Sequence, residues 1–322
     1  MDDRQLLRDL TWCIEAPSLI NSPSWDGLQP LQSLLAEAKL AALPIVKPAP
    51  RLGHYYEQLW QHLLTDRLSW PLVAANRQIS AGGKTLGALD LLHYAPSINT
   101  YCHTELAVKF YLRHESGDAQ HHWIGPNAID RLDIKIQRLT NHQLPLPQHP
   151  ESKAAIDAWI ASKSLPNREC ASWQSKMVVQ GWLFHPLQEQ TKPAHASINP
   201  QHLRGHWLHH SAAIPQSAQS AHWILLPRLY WLARALIKRE ACVHSDSIGC
   251  WQNLRLNQPV HLTAKSLAHC LRQQQNSAQP QALLLAAVVP DGNYWREIDR
   301  WMLVPDGWPQ PRTRSALPPF SK

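Results

Sequence analysis

Apolar positions along the chain switch between two periods, and the switches predict a helix, three strands and a second helix between residues 53 and 141. In residues 53–66, Tyr56, Leu59, Trp60, Leu63 and Leu64 repeat at helical spacing, with Glu57 at the edge of the stripe one turn before Trp60. Residues 72–79 and 86–93 read as strands around a Gly82-Gly83 turn, and residues 104–112 (TELAVKFYL) as a third strand. The helical period returns over residues 127–141. Pro126 and Asn127, with Asp130 three residues on, have the composition of a cap, and Ile129, Leu132, Ile136 and Leu139 make the apolar side.

The same reading covers the flanks. Leu6, Leu7, Leu10, Cys13 and Ile14, and again residues 31–40, sit at helical spacing, so residues 1–45 form a helical lead-in. The Pro-rich stretch 44–50 ends it, because proline lacks the N–H donor and biases its predecessor toward extended backbone. A third helix is expected over residues 151–162 and a further strand over 177–184 (MVVQGWLF), giving a core at 46–190. Residues 191–322 read as a Trp-rich α+β unit. Its strands are expected at 203–209, 223–232, 282–289 and 301–304, its helix at 262–274, with two P-D-G turns and a mobile tail from 309. The fold class is therefore mixed α/β, and 322 residues suit such a division.

Composition narrows the class without choosing a function. With 44% hydrophobic and 17% charged residues the chain belongs with soluble globular proteins rather than disordered ones. The 31 Lys and Arg against 24 Asp and Glu leave a charge of +7, which favours phosphate-bearing partners through a long-range, salt-sensitive attraction. Six cysteines stand far apart with no C-x-x-C pair, as reduced thiols do. The opening MDDRQLLRDL lacks the basic end and apolar stretch of a secretion signal, and the apolar run 282–289 is too short to cross a bilayer. The expected location is the cytoplasm, with no membrane partner.

The chemistry-bearing residues lie on the predicted core. Asp90 sits inside the apolar run LGALDLLHY, where an unpaired charge is costly unless a site requires it. Glu105 and Lys109 share one side of the third strand, with Ala107 between them. Hydrolysis of a phosphodiester needs a cation to neutralise developing charge and activate a water, and hard cations are held by a few carboxylates. Asp90, Glu105 and Glu57 supply acids, and Lys109 a charge for the transition state. Each has a plain structural alternative: a solvated helix residue for Glu57, a strand-end salt bridge for Asp90, an ion pair for Glu105 and Lys109.

From residue 51 to 144 the chain resembles the bacterial family named domain of unknown function 1853, through RLGHYYEQLW, GKTLGALDLL, TELAVKFYL, WIGPNAIDRLD and QRLTNHQLPL, with fainter similarity to the closing VPDGWP. That family in turn is similar to the PD-(D/E)XK nuclease superfamily. The resemblance implies a restriction-endonuclease-like αβββαβ core that uses Mg²⁺ or Mn²⁺. By position it implies Glu57 as the helix acid, Asp90 on the second strand, Glu105 with Lys109 on the third, and Lys135 or Gln137 on the next helix. The superfamily's acid and lysine stand two apart, whereas Ala107 holds the acid position here and Glu105 precedes it. The pair is thereby stretched from roughly 7 Å to roughly 13 Å along a strand.

Two functions follow. One is metal-dependent cleavage of DNA or RNA, with Asp90, Glu105 and Lys109 catalytic and Glu57, Asp90 and Glu105 holding the metal. The other is a catalytically inactive nuclease-fold protein that binds nucleic acid or another protein. In HLRGHWLHH, His202 and His206 form an H-x-x-x-H pair, a zinc spacing if helical, but no acid stands in the H-E-x-x-H place and packing is the simpler reading. Tryptophans of the second half offer stacking platforms for unpaired bases, or core packing.

Overall fold

A computed structural model describes residues 3–22, 24, 26–37, 51–114, 119–187, 195–212, 222–244, 254 and 257–310, and in it a mixed sheet of twelve strands carries helices on its faces. Two helices lead, α1 (Asp3–Glu15) and α2 (Leu28–Glu37), and α3 (Leu52–His62) precedes β1 (Leu72–Ala81), β2 (Lys84–Ala95) and β3 (Thr100–Arg113). Next come β4 (Trp123–Ile124), α4 (Leu132–Arg138), α5 (Pro150–Ala161), β5 (Ser172–Pro186) and β6 (Arg204–His209). The remainder comprises β7 (His222–Leu226), β8 (Leu236–Lys238), β9 (Val243–His244), β10 (Val260–Leu262), α6 (Ala264–Gln275), β11 (Leu283–Asp291) and β12 (Tyr294–Val304). No helix among the described residues is long and apolar enough to cross a membrane.

The sheet order is β1-β2-β3-β5-β6-β12-β11-β7-β10-β9, with β4 beside β3 and β8 beside β12. Pairing is antiparallel from β1 through β3, then parallel from β3 to β5 and on through β6 to β12. Gly82 and Gly83, at φ 55° and 75°, make the tight β1–β2 turn that a side chain would resist. Strand alternation then sorts the core. Leu106 and Phe110 face α3, packing with Tyr56, Leu59 and Trp60, while Ala107 and Tyr111 face the other way, onto Leu132, Leu139 and Leu144. Glu105 and Lys109 therefore stand on the α4 side.

The expected boundary between 190 and 191 falls within one continuous sheet, because β6 joins β5 to β12. Tryptophans tie the same halves together. The indole N–H groups of Trp182, Trp207 and Trp308 donate to the carbonyls of Leu232, Arg113 and Gly125 at 2.9, 3.0 and 3.0 Å. Trp223, Trp231, Trp295 and Trp301 are buried as well, so the described rings of this half pack the core and Trp207 alone is half-exposed; Trp251 lies outside the described residues.

Three local expectations are corrected. The second helix starts at Leu132 rather than 127, because Gly125 donates to the Asp130 carbonyl and Ile124 bridges Arg131, which commits the intervening residues to a turn with Ala128 at φ 57°. Ile129 is consequently 81% exposed instead of buried, and no cap forms at Asn127. The strand expected over 223–232 ends at Leu226, where Pro227 leads into a 3₁₀ turn. His206 lies within a strand and His202 just before it, not on a helix. The Pro-rich break at 44–50 and the tail from 311 lie outside the described residues.

Candidate functional site

The site begins where two strands part. β2 and β3 pair from Ala95 with Thr100 to Leu91 with Thr104; beyond that β2 stays with β1, and β3 with β5. Continuing the register sets Asp90 opposite Glu105, so the first residues of the fork are two carboxylates on one face. The Leu106 N–H, which would otherwise extend the ladder, donates to Asp90 Oδ2 at 2.9 Å, and the Asp90 N–H lies 3.5 Å from Glu105 Oε1. Asp90 thus closes the ladder with its side chain and keeps the fork open.

Glu105 is fully buried and held on both oxygens. His103, two residues earlier on the same strand face, donates from Nε2 to Oε1 at 2.9 Å. With that proton on Nε2, His103 Nδ1 accepts from the Ser175 hydroxyl at 3.2 Å, and Ser175 accepts the Trp173 indole N–H at 3.0 Å. The Gln143 amide donates to Oε2. Gln143 arrives there through a π-helical turn at Leu139–Gln143 that continues α4 and shifts its phase by one residue. Its own carbonyl oxygen accepts from Lys135 Nζ at 3.3 Å, which brings a cation to the carboxylates.

Electrostatics mark the fork as strained. Burial, then the charges of Glu105 and Glu57, push the Asp90 carboxyl from 3.8 to about 8, against the pull of the Leu106 N–H and Lys135. Burial also lowers the Lys135 ammonium, helped by the charge of Lys109 and opposed by Asp90 and Glu105. An acid pushed up beside a lysine pushed down makes the strand fork the candidate site of this chain, though a structural ion network shifts such groups in the same directions.

The other sequence-derived residues are placed as follows. Glu57 accepts from Asn76 Nδ2 at 2.9 Å and pairs with His54 at 3.3 Å, so it contributes its charge to Asp90 without touching it. Lys109 forms an ion pair with Asp130, and its backbone is crossed so closely by Gly181 that a Cβ there would lie 1.7 Å from the Lys109 carbonyl oxygen. Gln137 is exposed, whereas Glu105 is fully buried. Gln143 and Asn76 carry no signal in the sequence, whereas His103 beside Cys102-x-x-Glu105 reads there as a weak metal cluster and stands here as the hydrogen-bond partner of Glu105.

No three His, Cys, Asp or Glu groups among the described residues already stand around one cation position. Mg²⁺ asks for less, since it retains several waters and takes one or two carboxylates together with substrate phosphate oxygens. Asp90 and Glu105, both hard oxygen donors and the first of them raised by burial and then by its neighbour's charge, fit that requirement once the Gln143 amide yields Oε2.

Comparison with curated proteins finds no match, and neither does comparison with solved structures. One family description does match, "Domain of unknown function (DUF1853)", over residues 8–304, which takes in α3, the fork and the sheet as far as the end of β12. The chain belongs to that family.

Proposed function

We propose that the β2–β3 fork is a Mg²⁺- or Mn²⁺-dependent phosphodiesterase site acting on DNA or RNA, within a core of the PD-(D/E)XK nuclease type. The observation that carries this reading is the meeting of Asp90 and Glu105 on one face at the opening of a ladder, with Lys135 bonded through Gln143. The element order supports it too: α3, three antiparallel strands, α4, then a strand parallel to β3.

Asp90 and Glu105 would hold the cation, with Glu57 adding charge from α3. When bound, the cation supplies an activated water and neutralises charge on the phosphoryl oxygens. His103, Ser175 and Trp173 keep the Glu105 carboxylate in one orientation. Lys135 faces the same carboxylates and is the ammonium placed to stabilise the transition state; Lys109 adds to the local positive field while bonded to Asp130.

The test is cleavage of plasmid, single-stranded DNA and RNA with Mg²⁺ or Mn²⁺, by the full chain and by Asp90→Asn, Glu105→Gln and Lys135→Met. Each substitution is expected to slow cleavage by roughly 10²–10³-fold, the usual loss when one transition-state contact goes. Equal cleavage by wild type and Asp90→Asn overturns the assignment. A specific observation favours the second reading: Glu105 is satisfied by His103 and Gln143, and Lys109 by Asp130, without any ligand. No cleavage, with gel shifts that weaken as salt rises, would identify a non-catalytic nucleic-acid binder.

A further inference from the structure

Of the six non-glycine residues with positive φ among those described, five stand in turns or loops and Asn76, at 49°, alone lies within a strand. Left-handed backbone is costly for a residue with a side chain, less so for asparagine, and it persists where the surroundings hold it. Here it reverses the alternation of β1. Ala74 packs on the α5 side with Leu92 and Ile156, and Ala75 on the α3 side with Leu91 and Leu59. Regular alternation would turn Asn76 to the α5 side and Arg77 and Ile79 to the α3 side. Instead Ile79 joins the α5 cluster, and the Arg77 guanidinium lies over the Trp159 ring of α5 at 5.1 Å. Ala75 and Asn76 therefore face α3 in succession, and the Asn76 amide donates to Glu57 Oε2 of that helix at 2.9 Å.

The reversal falls at the fork. Ala75 pairs with Leu91 and Arg77 with Leu89, which sets Asn76 opposite Asp90, and the register of the next pair continues from Asp90 to Glu105. We infer, resting on the metal-dependent reading of this site, that Asn76 is one of its positioning residues: its left-handed backbone carries its amide across to α3, and the amide holds the Glu57 carboxylate where its charge bears on Asp90 and helps draw a divalent cation to the acid pair.

Two partners hold Glu57 among the described residues, and they act differently. His54, one turn earlier on the same helix and exposed, pairs with it at 3.3 Å, a contact that runs along α3 and fixes nothing relative to the sheet. Asn76 is the partner on the sheet. The Glu57 side chain is only 20% exposed, so its charge is not fully screened and reaches Asp90, on which Glu105 and Lys135 act as well. Released from Asn76, the Glu57 side chain regains its rotamers and its charge spreads toward water, so the fork loses part of its field while Asp90 and Glu105 stay in place.

Mn²⁺ titration of the full chain by calorimetry, without substrate, and thermal melts of the same proteins decide the matter. Asn76→Gly keeps the left-handed backbone and removes the amide. It should weaken Mn²⁺ uptake by roughly 10-fold, the usual loss when a group that orients a site's acids goes, with unchanged far-UV circular dichroism. The Mn²⁺ concentration for half-maximal cleavage should rise in proportion, by more than the rate at saturating Mn²⁺ falls. Added to Glu57→Gln, Asn76→Gly should cost nothing further, because it acts through that carboxylate. Asn76→Ala, strained in left-handed backbone, should melt below Asn76→Gly, the reverse of the usual order within a strand. Wild-type affinity in Asn76→Gly, losses that add in the double variant, or an alanine variant at least as stable as the glycine one overturns the role of Asn76 and leaves the metal-dependent reading standing. No Mn²⁺ uptake by wild type removes that reading and takes the role of Asn76 with it.

Discussion

Replacing Glu297 by Ala is expected to lower the unfolding free energy by about 3–5 kcal/mol, a large share of the ~5–15 kcal/mol that holds a domain folded. Glu297 is the counter-charge of Arg300, whose guanidinium has no solvent exposure. Arg300 Nε donates to Glu297 Oε1 at 2.6 Å and Nη2 to Oε2 at 2.8 Å. Its remaining protons go to the carbonyls of Trp231 at 2.7 Å, Leu232 at 3.3 Å and Ala233 at 2.7 Å. A bulge at Ile298, where the β11–β12 register slips, lets residues three apart on one strand meet. Glu297 Oε2 also accepts the Ala235 N–H at 2.6 Å, and Trp182 lies under the guanidinium at 4.2 Å.

Removing the acid leaves a dry cation with carbonyls on one side and nothing on the other. Converting both residues to Met is expected to cost less than Glu297→Ala alone, since no unpaired charge remains. Urea midpoints with unchanged slopes would register both effects. A Glu297→Ala protein within about 0.5 kcal/mol of wild type would show that water reaches Arg300.

Asp90→Asn is expected to flatten the decline of stability between pH 5 and pH 8. The native carboxyl keeps its proton up to about pH 8, whereas an unfolded chain releases it above 3.8. An acid raised in this way favours the native state fully only below its unfolded value, and the advantage drains as pH climbs to the folded one. The slope is up to about 1.4 kcal/mol per pH unit, so wild type and variant should be alike near pH 4 and differ by several kcal/mol at pH 8, with the carboxamide variant the more stable. The carboxamide oxygen still accepts from Leu106, which removes lost hydrogen bonding as a competing cause. Parallel pH profiles for the two proteins would place the buried proton elsewhere.

Period alone made α3, the three strands after it, α5 and β5 legible, because each buries one clean stripe or one clean face. Asp90 stood out as an acid among leucines. What stayed hidden is what depends on distant partners. Asn127 and Asp130 had cap composition, but Asp130 is drawn to Lys109 and the backbone around it to Gly125. A 3.6-residue count along the second helix gave no reason to single out Gln143, since the π-turn that delivers it adds a residue the count does not contain. The resemblance implies Lys135 or Gln137 on the helix, but nothing in the E-x-x-x-K spacing says that Lys135 rather than Lys109 is the lysine bonded into the carboxylate cluster. Nor does any local pattern say that β6 will bridge β5 to β12.

The indole bonds from Trp182, Trp207 and Trp308 have a thermodynamic sequel. Each satisfies a carbonyl in the opposite half, so melting either half strips hydrogen-bond partners from the other, which couples the unfolding of the two. Mass action is shared to that extent: an ion seated beside Asp90 would slow the hydrogen exchange that proceeds through global unfolding in both halves, and leave exchange through local opening of the distant strands unchanged.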